Sequence, residues 1–149
     1  MNAPSKSIIF FVDRCLGKQP ILEKLRSTGV TVEAHDDHFP QNAQDVHWLP
    51  VIGARGWVIL TKDARIARNS LERRAVAYAG IKMFTLALQQ LSGEETALAF
   101  HRALSGMLKF VEKNPAPFIA KVFKDGKVKP WKTATDLLAE IQIFVQKSD

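Results

Sequence analysis

Apolar positions along the chain follow two rhythms: short solid runs, and longer stretches repeating every three or four residues. "SIIFFV" (residues 7–12) is unbroken, which predicts a strand covered on both faces. Ile21, Leu22 and Leu25 then predict a short helix, with Gly29 at its carboxyl end. "VTVEAH" (30–35) alternates and is β-branched, so it predicts a strand. "DVHWLPVIGARG" (45–56) predicts a helix opening at Asp45, which Pro50 is expected to kink or shorten. "WVILT" (57–61) predicts a second buried strand. "LERRAVAYAG" (71–80) predicts a helix capped by Asn69 or Ser70, and "IKMFTLA" (81–87) a further strand.

From Ser92 the rhythm lengthens. "SGEE" has capping-box spacing, and Leu98, Leu104, Leu108 and Val111 then mark a long amphipathic helix. "NPAPF" ends it. "FIAKVFKDGKVKPW" (118–131) reads as a hairpin around Asp125-Gly126, and "TATDLLAEIQIFV" as a last helix capped by Thr133 or Thr135. Alternating strands and helices predict an α/β fold with a mainly parallel sheet of about five strands, flanked by helices in three layers. The C-terminal hairpin and helix (within 91–149) are expected to pack on residues 1–90 as part of one domain, 1–149.

Composition narrows the setting. A chain of 149 residues that is 46% hydrophobic has material for one sizeable core. No apolar run approaches the roughly 20 residues that span a bilayer. "SIIFFV" is too short for a signal peptide's apolar region. A soluble, cytoplasmic protein without membrane contact is expected, and a lone cysteine, Cys15, fits a reducing compartment. The formal charge of +6 favours an anionic partner such as nucleic acid.

The acids then fall into a pattern. Asp13 follows the first strand, Asp36 and Asp37 the second, and Asp63 follows "WVILT" by one residue. In a parallel sheet these are all carboxyl ends of strands, where ligands collect. Asp45 opens the helix that leads into Trp57, and so lies on the same edge. Crowded carboxylates repel, and a divalent cation relieves the repulsion. Oxygen donors with little His or Cys suit Mg²⁺ or Mn²⁺, which activate water for in-line attack on a phosphodiester. Asp13, Asp45 and Asp63 are the expected metal ligands and catalytic acids. One of Asp36 and Asp37 is expected to join them, with Asp37 the choice. Thr61 is expected to position Asp63 or a water. Arg14, Lys18, Lys62, Arg65 and Arg68 surround the acids and are expected to hold the substrate's phosphates. His35 and His38 read as surface-loop residues, and Cys15 as a small buried one rather than a nucleophile.

With the acids placed, "FFVDRCLG" and "DVHWLPVIGARGWVILTKDARI" resemble PIN-like domains. Asp13 matches the acid that ends their first strand. Asp45, Gly56, Thr61 and Asp63 match their later "D…G…T-x-D" arrangement. "VDRCLG" together with "LTKD", and the tail "NPAPFIAKVFKDGKV", resemble the VapC-like toxin and Mut7-C-related branch. This chain departs from the family in its intermediate acid, which is often a Glu on a helix there; here the candidates are Asp36 and Asp37 after a strand. The resemblance implies Mg²⁺- or Mn²⁺-dependent endonucleolytic cleavage of single-stranded RNA and homodimerisation. It also implies a toxin–antitoxin pair, with a small antitoxin protein as partner. A catalytically inactive RNA-binding PIN-like protein is the alternative. A signalling receiver domain also carries strand-end acids, but it wants adjacent acids after its first strand, where this chain has Asp13 followed by Arg14.

Overall fold

The structure, a computed structural model, describes residues 8–62, 69–88 and 90–148, with side chains through residue 142. Six strands form one sheet: β1 (Ile9–Val12), β2 (Thr31–Ala34), β3 (Val58–Thr61), β4 (Lys82–Leu86), β5 (Phe118–Val122) and β6 (Val128–Lys132). Their order is β2-β1-β3-β4-β5-β6. The first five are parallel and β6 runs antiparallel at the edge. Among the described residues, five α-helices cover the sheet: α1 (Gln19–Arg26), α2 (Asp45–Arg55), α3 (Ser70–Ala79), α4 (Gly93–Lys113) and α5 (Ala134–Ser148).

The pleat sorts the apolar runs into two cores. Phe10, Val12, Val58, Leu60, Phe84 and Phe118 face one side, where Leu22 and Leu25 of α1 and Phe100 and Met107 of α4 complete the layer. Phe11, Ile59, Met83 and Ile119 face the other, against Trp48 and Ile52 of α2, Val76 of α3 and Leu137 of α5. All four residues of β3 are buried, as its solid apolar run predicts for a central strand.

Helix boundaries follow local chemistry. Ser92 and Glu95 form the capping box, each side chain bonding the other's backbone N–H at 3.1 and 3.0 Å. The Asn69 side chain accepts from the Leu71 amide and caps α3. Thr133 caps α5, exchanging bonds with Asp136. Contrary to expectation, α2 runs through Pro50 without a break. The carbonyl that Pro50 leaves without a donor belongs to Val46, a residue that is 60% exposed.

The predicted hairpin forms, with Gly126 at φ 92° in its turn. It continues the sheet: β5 is the fifth parallel strand, reached from β4 through α4, and β6 adds a sixth. One close approach depends on glycine. A methyl on Gly53 of α2 would overlap the Ala79 carbonyl of α3.

Candidate functional site at the carboxyl edge of β1 and β3

The sheet order creates a switch point. From β1 the chain leaves through α1 to β2 on one side, and from β3 through α3 to β4 on the other. Between β1 and β3 the two connections diverge onto opposite faces and open a crevice at the strands' carboxyl ends. Asp13 stands there. Its amide continues the ladder, donating to the Leu60 carbonyl at 3.0 Å, so its side chain emerges on the α2 and α3 face beside Thr61.

The Thr61 hydroxyl is buried and donates to Asp13 Oδ2 at 2.9 Å. Cys15 Sγ lies 3.4 Å from the same hydroxyl oxygen. Since the hydroxyl's one proton goes to Asp13, the thiol is the donor in that contact. Desolvation and the nearby Asp13 charge push the Cys15 thiol up to about 11, so it stays protonated at neutral pH. Cys15 is exposed as a whole residue, unlike its sequence reading, while its thiol sits part-buried against the Thr61 hydroxyl.

Asp45 reaches the crevice from the other direction. An eleven-residue α2 is about 16 Å long. It runs back along β3, so its first turn lies level with the strand's carboxyl end. Asp45 is the first residue of α2, while the cap position falls to Gln44. The charge of Asp45 is felt at Asp13, whose pKa is raised, first by burial and then by this like charge. The Thr61 bond and the His35 ring pull it down. Asp45 thus lies within electrostatic reach of Asp13.

The remaining acids divide. Asp37 follows β2 in a short 3₁₀ turn (His35–Asp37), is half exposed, and pairs with Lys18 at 3.4 Å. Asp36 lies 3.3 Å from His35 Nδ1. Asp63, Arg65 and Arg68 lie outside the described residues. Among the described residues, no three of His, Cys, Asp and Glu gather as a metal-ligand group. Arg14 and Lys18 line one small recess of about 150 Å³ together with His35 and Asp36. Lys62 follows β3 directly.

His35 departs from its surface-loop reading. It is 1% exposed, enclosed by the rings of Phe11, Phe39 and Trp48. Its Nε2 has no hydrogen-bond partner among the described residues. Neighbouring aspartates suggest a solvated turn; only the pairing of β2 with β1 brings His35 alongside Asp13.

Donor chemistry at this edge suits a hard cation. Asp13 and Asp45 present carboxylate oxygens, and the thiol nearest them is held protonated.

The family description "PIN like domain" matches residues 8–88, the stretch from β1 past β4 that contains every acid of the crevice. A curated protein of Mycobacterium tuberculosis named "Putative ribonuclease VapC45" is 30% identical over 116 residues. The match covers 75% of this chain and 83% of that protein. No solved structure matches.

Proposed function

This chain belongs to the PIN-like domain family, and from that premise we propose that it is a divalent-metal-dependent endoribonuclease cutting single-stranded RNA. The reading is supported by Asp13 at the switch point between β1 and β3, with Asp45, from a distant part of the sequence, near enough for its charge to act on it. Asp13, Asp45 and Asp63 would hold Mg²⁺ or Mn²⁺, with Asp37 as the fourth acid. When bound, the ion supplies positive charge at the scissile phosphate and lowers the pKa of the attacking water.

The chain's own groups do the rest. Thr61 fixes one oxygen of Asp13. Because the Thr61 hydroxyl proton goes to Asp13, Thr61 has none to offer elsewhere. Burial of Asp13 favours charge neutralisation by a ligand over solvation by water. Arg14, Lys18 and Lys62 border the acids, with Arg65 and Arg68 just beyond in sequence, and would bind RNA phosphates.

The name of the mycobacterial relative supports a wider reading. The protein would be the toxin of a toxin–antitoxin pair, restrained by a small antitoxin protein that occupies the acid-lined crevice. It would act in the cytoplasm and as a homodimer, a state that Leu71 and Tyr78, exposed on α3, would suit. No helix among the described residues is long and apolar enough to cross a membrane.

A labelled single-stranded RNA incubated with the protein in Mg²⁺, in Mn²⁺ and in EDTA tests the reading. Cleavage is expected with either ion, and is expected to vanish in EDTA and in Asp13→Asn and Asp63→Asn. RNA that binds but is never cut would establish instead a catalytically silent RNA-binding relative.

A further inference from the structure

Register carries a line of side chains sideways from Asp13 across the whole sheet. Thr61 pairs with Thr85 on β4, Thr85 with Lys121 on β5, and Lys121 with Lys129 on β6. Paired residues share a face, so Asp13, Thr61, Thr85, Lys121 and Lys129 form one row at the carboxyl edge. It starts with an acid and ends in two cations. Strands lie about 4.8 Å apart, so β5 is about 14 Å from β1 and β6 about 19 Å. A few nucleotides of extended strand cover that distance.

The two lysines stand in an unfavourable arrangement for an isolated fold. Like charges directly opposite across paired strands destabilise the pair. Other lysines nearby have carboxylate partners: Lys124 with Glu95 at 3.3 Å, Lys127 with Asp125 at 3.8 Å and Lys132 with Glu140 at 3.7 Å. Among the described residues, Lys121 and Lys129 have none. Lys121 lies over the Trp131 ring at 5.4 Å and Lys129 over the Phe123 ring at 5.5 Å, which orients them without neutralising them. Between the end of β4 and the hairpin, a recess of about 640 Å³ is lined by Ala87, Leu88 and Phe123 as well as both lysines. Cations with an aromatic ring and apolar floor are the features that bind a single strand through its phosphates and bases.

We propose that the β5–β6 hairpin is a guide for single-stranded RNA, in which Lys121 and Lys129 hold phosphates of the strand that leaves the acidic crevice. This rests on the ribonuclease reading for its ligand, but its test requires only binding. The double variant Lys121→Gln/Lys129→Gln and the charge-preserving Lys121→Arg/Lys129→Arg are compared with the native chain by fluorescence anisotropy. The probe is a labelled 16-nucleotide RNA in EDTA over a range of salt concentrations. Each phosphate contact to a single strand contributes about 0.7 to the slope of log affinity against log salt. The Gln variant is expected to lose about 1.4 of that slope and roughly tenfold in affinity, and the Arg variant to keep both. Lys129→Gln alone, on an exposed edge position, is expected to lose about half as much slope even if the double variant folds poorly.

Unchanged affinity and slope in the Gln variants would overturn the proposal. So would unchanged RNA binding combined with lost binding of a poly-glutamate peptide, which would make the hairpin a surface for an acidic protein. If the native chain binds RNA with the expected lysine dependence but cuts none in Mg²⁺ or Mn²⁺, the nuclease reading fails and the guide stands.

Discussion

Ionising Asp13 works against its surroundings. Burial and Asp45 both disfavour its charge, and the Thr61 hydroxyl is the main counterweight. The sign of the resulting pH effect follows. A carboxyl whose folded pKa is raised adds stability below its unfolded value, near 3.8, and loses that contribution as pH climbs through the folded value. Asp13→Asn removes this loss while keeping an oxygen for Thr61 to donate to. In metal-free buffer the variant's melting temperature is expected to match the native one near pH 4 and to exceed it increasingly as Asp13 titrates. A constant gap across pH would count against the buried-charge account. Thr61→Val removes the bond that lowers the Asp13 pKa. In the cleavage reaction, the acid limb of its pH–rate profile should move to higher pH, an effect that a purely structural threonine would not produce.

Among helices and strands, position matters more than propensity. Asp45 rides on the first turn of α2, and α2 keeps its place only because Gly53 lets it approach α3 closely. Gly53→Ala should force the helices apart, costing roughly 1–3 kcal/mol of stability. Cleavage should fall with it, because Asp45 moves. Ser92→Ala makes a useful contrast. It removes one half of the α4 capping box, should cost about 1 kcal/mol, and should leave cleavage untouched because α4 contributes nothing to the crevice. Thermal melts and cleavage rates of the two variants, measured together, separate these effects.

At the scale of the whole molecule, the legible parts are those written in local sequence. Solid apolar runs marked β1 and β3, Ser92 and Glu95 announced α4, and strand-ending acids drew attention to Asp13. Features made by distant partners were hidden. Nothing beside His35 announces the rings of Phe11, Phe39 and Trp48 that enclose it, and nothing near Asp37 announces Lys18. "FIAKV" and "VKPWK" show a hairpin, but which sheet a hairpin joins is decided by α4 carrying the chain across the sheet. The basic end of the row was invisible for that reason.

The central claim also belongs to this scale: Asp13, Asp45 and Asp63 are proposed to share one dication. Calorimetric titration of Mn²⁺ into the native protein and into Asp13→Asn, Asp45→Asn and Asp63→Asn, each confirmed folded, tests it most directly. One bound ion is expected for the native chain, with binding lost or weakened at least tenfold in every variant. Native-like Mn²⁺ binding in any one of the three would contradict the shared site.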